Sequence, residues 1–254
     1  KSRGDTLIAI DGMNDQTKQN NAIEDMITRG ITLLFLNPVD KNGVKPALES
    51  CKRAGVKVVV VDSGVADPQF TESFISSNNY QAGKICGEEM KKVLRKNAKI
   101  ALIDNPLAES VVNRMKGLED ALAGSGITIV EQAHYSSMNA VLSTFEDFLQ
   151  AHPDLDAFWG LNDDFGLIAQ GVVESAGMQK QMKVFSVDGS PSAKKSIQQK
   201  KLYSTAAQSP ATIGKKAAEV AYDVLAGKKV EKTYSIDTVA INQQDIAGFD
   251  VNYW

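Results

Sequence analysis

Short apolar runs alternate with amphipathic stretches from one end of this chain to the other. The runs predict strands at Thr6–Ile10, Thr32–Leu36, Lys57–Val61, Ser73–Ser76, Lys99–Ile103, Thr128–Glu131, Ala157–Gly160, Lys183–Val187, Ser204–Ala207 and Ile236–Ile241. Between them, helical periodicity predicts helices near 15–29, 43–54, 79–95, 109–123, 139–150, 164–176, 191–199 and 210–226. Strand and helix in steady succession imply right-handed βαβ crossovers and mostly parallel sheets. The unbroken apolar run up to Val61 suits a strand covered on both faces, not a sheet edge. Ser190 before Pro191 and Ser209 before Pro210 place a hydroxyl acceptor and a proline where helices begin. Gly30, Gly55, Gly177 and Gly227 mark helix ends.

Composition narrows the class. With 254 residues the chain can bury a substantial core, and an α/β protein of this size is expected to divide into two lobes. A hydrophobic share of 43% and a charged share of 23% fit a globular protein and exclude a disordered one. The net charge of −3 comes from intermixed Lys, Glu and Asp with no basic stripe, so no nucleic-acid partner is expected. His134 and His152 are the only histidines and lie too far apart in sequence for a zinc cluster. Cys51 and Cys86 sit on helical segments and read as small packing residues; no metal or cofactor is expected. Gly-x-Gly-x-x-Gly, the P-loop and Gly-x-Ser-x-Gly are absent, and nothing nominates a nucleophile, so the chain is not expected to be an enzyme.

Five polar signatures remain: Asp62 in Val-Asp-Ser, Arg114 in Asn-Arg, Asn162 in Asn-Asp-Asp, Asp188 in Val-Asp-Gly and Gln208 ahead of Ser-Pro. Open α/β sheets bind ligands beyond the carboxyl ends of their strands, so together these predict a polyol site. Asp62 either accepts from vicinal hydroxyls or caps the segment that follows it. Arg114 either offers its fork of donors to a sugar oxygen or lies solvated on a helix. Asn162 both donates and accepts, and is assigned to the ligand, with Asp163 assigned to helix capping. Gly189 after Asp188 allows close backbone approach. Tyr135, Trp159 and Phe165 are the nearby aromatics; Tyr135 and Phe165 offer faces for a sugar ring, whereas Trp159 is expected in the core.

The series Asn37-Pro38, Val61-Asp62, Asn78 with Ala82-Gly83, Ala151-His152-Pro153-Asp154, Asn162-Asp163, Val187-Asp188-Gly189 and Ala207-Gln208-Ser209-Pro210 resembles the ribose-type periplasmic sugar-binding proteins of ABC importers. The resemblance covers essentially the whole chain. It implies two doubly wound α/β lobes with parallel sheets, joined by three hinge crossovers and closing on a monosaccharide or polyol. The lobes would comprise 1–76 plus 209–237, and 77–208 plus 238–254, with crossings near Ser76–Asn78, Gln208–Ser209 and Ile236–Thr238. It implies sugar contacts at Asp62, Arg114, Asn162, Asp188 and Gln208, a membrane permease as partner, a monomer, and a periplasmic or lipid-anchored extracellular location. The alternative is the effector domain of a lactose-repressor-like transcription factor.

The chain departs from that pattern in three places. Ser63 stands where the family has an arginine after its aspartate. Ser136 aligns with a family aromatic, for which Tyr135 is the neighbouring substitute. The chain opens on what resembles the family's second strand, from which about 30 to 40 further N-terminal residues, a strand and its crossover helix, are expected.

Overall fold

The computed structural model describes residues 4–254. In chain order its elements are α1 (Gln16–Thr28), β1 (Leu33–Leu36), α2 (Lys45–Ala54), β2 (Lys57–Val61), β3 (Ser73–Ser77), α3 (Asn79–Val93), β4 (Lys99–Asp104), α4 (Glu109–Leu122), β5 (Thr128–His134), α5 (Met138–Ala151), β6 (Ala157–Gly160), α6 (Asp163–Ser175), β7 (Lys183–Asp188), α7 (Pro191–Gln198), β8 (Ser204–Ala207), α8 (Pro210–Leu225), β9 (Thr233–Ile236) and β10 (Val239–Asn242). They form two compact units. The first comprises the described residues up to Ser76, Leu107–Glu109 and Thr212–Ser235; the second comprises Ser77–Pro106, Ser110–Ala211 and Ile236–Trp254.

The first unit holds a four-stranded sheet in the order β1-β2-β3-β9, with β1, β2 and β3 parallel. Val58, Val59 and Val60 of β2 are buried, as a strand with a neighbour on each side and cover on both faces requires. Leu34 pairs with Val58 and Val60 with Phe74, so the apolar residues of three strands stack across the sheet. Asp15 caps α1 by accepting from the Lys18 amide, and Gly55 closes α2 at φ +74°.

Residues 6–10 do not form the strand that their apolar pattern predicts. Leu7, Ile8 and Ile10 instead line a groove of about 550 Å³ together with Leu33 and Phe35 of β1, Met26 and Ala221. A strand pair needs a ladder of backbone hydrogen bonds at about 4.8 Å spacing, and none joins residues 6–10 to β1. Among the described residues, β1 is therefore bonded on one side only.

The second unit holds a six-stranded sheet in the order β10-β8-β7-β6-β4-β5, parallel except for β10, which runs antiparallel to β8. Trp159, Phe158, Phe185 and Phe145 are fully buried, and Phe145 packs on Phe158 with ring centroids 4.9 Å apart. The run Ile236–Ile241 is not one strand. It is divided between β9 and β10, which belong to different sheets. The break falls at Asp237-Thr238, where the Thr238 amide donates to Gln81 Oε1 at 2.9 Å instead of to a ladder.

Candidate functional site

Both carboxylates at the carboxyl ends of central strands have unusual backbones. Asp62 lies at φ +67° and Asp188 at φ +132°, two of six described non-glycine residues with positive φ. Such conformations cost of order 1–3 kcal/mol and persist where surroundings over-determine them, commonly at ligand sites.

In the second unit, Arg114 is only 5% exposed, which decides against a solvated helix residue. Its place follows from how α3 and α4 meet. A Cβ on Gly83 would stand 1.7 Å from the Arg114 carbonyl oxygen, and one on Gly117 would stand 2.0 Å from that of Tyr80. Only glycine permits the two backbones to approach so closely. The guanidinium then donates from Nε to Asn79 Oδ1 at 2.8 Å and from Nη1 to the Leu161 carbonyl at 2.7 Å. Nη2 stands 3.4 Å from Asp188 Oδ1. A buried charge requires such partners, and these leave N–H groups on the terminal nitrogens for a ligand oxygen.

Gln208 closes the cluster. Its Nε2 donates to Asp188 Oδ1 at 2.5 Å, and its backbone amide donates to the Asp188 carbonyl at 2.9 Å. Gln208 Oε1 is buried with no hydrogen-bond partner among the described residues. A buried acceptor left over is costly, and a hydroxyl donor is what it lacks. Close to the start of α6, Phe165 is buried and meets Tyr135 with ring centroids 5.6 Å apart and planes inclined by 54°.

The capping role expected of Asp163 falls to Asn162. Asn162 is the N-cap of α6, its Oδ1 accepting from the Phe165 amide at 3.0 Å, which leaves Nδ2 as its donor. Asp163 does not cap the helix. Its side chain is buried and accepts from Ser186 of β7, from Thr205 of β8 and from the Ser190 amide, all outside α6. Burial pushes its carboxyl above the usual range, and the three donors pull it partly back.

In the first unit, Asp62 follows β2, its amide donating to the Ile75 carbonyl at 2.9 Å and its Oδ2 accepting from Asn37 Nδ2 at 3.1 Å. The turn continues through Gly64, whose amide donates to Glu109 Oε2 at 3.2 Å. Trp159 is a core residue, as expected. Asn79, Gly83 and Gly117 set the position of Arg114, and sequence reasoning passed over Asn79 and Gly117. The paired asparagines after β3 are the signal for the first; Gly83 and Gly87 one turn apart on α3, with a single glycine in the interior of α4, are the signal for the second.

Residues 1–229 match the family described as periplasmic binding protein domain. The chain is 35% identical over 236 residues to the ribose import binding protein RbsB of Bacillus subtilis (strain 168), covering 92% of this chain and 76% of that protein. It is 30% identical over 244 residues to the RbsB of Escherichia coli (strain K12), covering 95% and 81%. Among solved structures, an ABC transporter solute binding protein from Mycobacterium smegmatis with bound glycerol superposes with a TM-score of 0.91 at 33% identity, covering 97% of this chain and 86% of that one.

Proposed function

The chain belongs to the periplasmic binding protein domain family, and from that premise we propose that it is a receptor for a monosaccharide or related polyol. It passes the captured sugar to the membrane subunits of an ABC importer, outside the cytoplasmic membrane, without chemical change to the ligand. The observation that carries this reading is the cluster Arg114, Asp188 and Gln208, fixed by mutual contacts and holding one buried acceptor without a donor. A fork of N–H donors, a carboxylate and an amide oxygen match a polyol, each of whose hydroxyls both donates and accepts. The Tyr135 and Phe165 rings supply an apolar face for the ring carbons, and Asn162 Nδ2 a further donor. Asp62 is proposed as a further sugar contact, on its strand-end position and left-handed backbone. The relatives named above are solute-binding proteins of importers, and no observation favours a repressor effector domain.

Isothermal calorimetry against D-ribose, other pentoses, hexoses, myo-inositol and glycerol identifies the ligand. Losing one charged hydrogen bond costs about 1.5–3 kcal/mol, so Asp188→Ala and Arg114→Ala should each weaken binding by about tenfold or more. Unchanged affinity in either variant removes that residue from the site.

A further inference from the structure

We infer that Asp163 is a positioning residue for the sugar site: its buried carboxylate suspends the loop that carries Asp188. The inference rests on the reading of Asp188 as a sugar contact. Asp163 is 2% exposed and has no part in capping α6, since Asn162 fills that role. Its Oδ1 accepts from Ser186 Oγ at 2.5 Å and from Thr205 Oγ1 at 2.8 Å; its Oδ2 accepts from the Ser190 amide at 2.6 Å. Thr205 Oγ1 in turn accepts from the Gly189 amide at 3.1 Å. Both backbone amides after Asp188 therefore hang from this carboxylate, one directly and one through a single hydroxyl.

That support answers a specific need. Asp188 and Gly189 lie in succession at φ +132° and φ +76°, a pair of conformations that the chain does not hold unaided. Side-chain packing cannot supply the restraint at Gly189, because a Cβ there would stand 2.4 Å from that of Ala207. The loop must be held by hydrogen bonds. No charged side chain bonds to Asp163 among the described residues; its hydrogen-bond donors are two hydroxyls and a backbone amide. A desolvated carboxylate with only neutral partners is a poor way to fill a core, which favours a positional role over a stabilising one. The loop it fixes presents the Asp188 carboxylate to Arg114 and Gln208.

Asp163→Asn replaces one acceptor oxygen by a donor that faces other donors. Two readouts separate positioning from bulk stability. In the sugar-free protein, exchange of the Gly189 and Ser190 amides should accelerate about tenfold relative to amides of β6. With D-ribose as probe, affinity should fall about tenfold in the parent background but less than about threefold in Asp188→Ala, because effects that act through one group do not add. If Asp163→Asn does not fold, Thr205→Val removes the relay to Gly189 and leaves the Ser190 amide bonded; exchange of the Gly189 amide alone should then accelerate about tenfold, with the same affinity expectations in the two backgrounds. Unaltered loop exchange, or an equal loss of affinity in both backgrounds, overturns the inference. If exchange accelerates while Asp188→Ala leaves D-ribose affinity intact, the tether stands and the sugar-contact reading fails, taking the positional role with it.

Discussion

A single arginine illustrates what local sequence withholds. Nothing in Glu-Ser-Val-Val-Asn-Arg-Met distinguishes a solvated Arg114 from a buried one, because its burial is decided by Gly83 and Asn79 on another helix. Asp188 and Gln208 were legible for the opposite reason: a carboxylate before glycine and an amide before Ser-Pro each end a strand, and strand ends converge by topology. Asn162 and Asp163 are adjacent residues of similar shape, and which one caps the helix depends on donors from Ser186 and Thr205 far along the chain. The cysteines follow their surroundings too. Burial, with a smaller contribution from Glu24, pushes the Cys51 thiol up to about 11, and burial pushes Cys86 up to about 12. A raised thiol value means a protonated, unreactive sulfur, with less than about one part in a thousand as thiolate at pH 8. Ellman's reagent should therefore detect no fast-reacting thiol in the native protein and two after denaturation; a fast native reaction at pH 8 contradicts the burial described.

Elements are legible in the sequence where the pattern itself implies their neighbours. The apolar run to Val61 identified a central strand because continuous burial needs two covered faces. Residues 6–10 carry the same signal without forming a strand, since periodicity reports which side chains want burial and not whether a partner lies within bonding reach. The contact of α3 with α4 is the element-scale feature on which the site depends. Gly83 and Gly117 bring backbone to backbone, and the Gly87 position would place a Cβ 2.6 Å from that of Ala121. Adding a methyl group must part the helices and displace Arg114 with α4. Gly117→Ala should therefore destabilise the protein by about 1–3 kcal/mol or more by overpacking. It should also weaken sugar binding by more than the substitution Gly214→Ala, where a Cβ meets no atom within 4 Å. Denaturant titration and calorimetry on the two variants check this, and equal behaviour would mean that the contact does not set the arginine.

At the scale of the whole molecule, two units with separate sheets melt as two coupled or two independent transitions, and a single unfolding free energy is not defined in advance. A ligand that binds the native state raises stability by RT ln(1 + [L]/Kd), about 2.7 kcal/mol at a hundredfold excess over Kd. Where the two transitions are independent, that stabilisation reaches only the unit whose residues touch the ligand. A sugar held by Arg114, Asp188 and Gln208 alone would raise the transition of the second unit and leave the first unmoved. With Asp62 as a further contact, both transitions should rise together on scanning calorimetry. Asp62→Ala should then confine the shift to one of them, whereas Asp188→Ala should diminish both. If the first unit's transition ignores saturating sugar in the parent protein, Asp62 belongs to the turn it shares with Asn37 and not to the binding site.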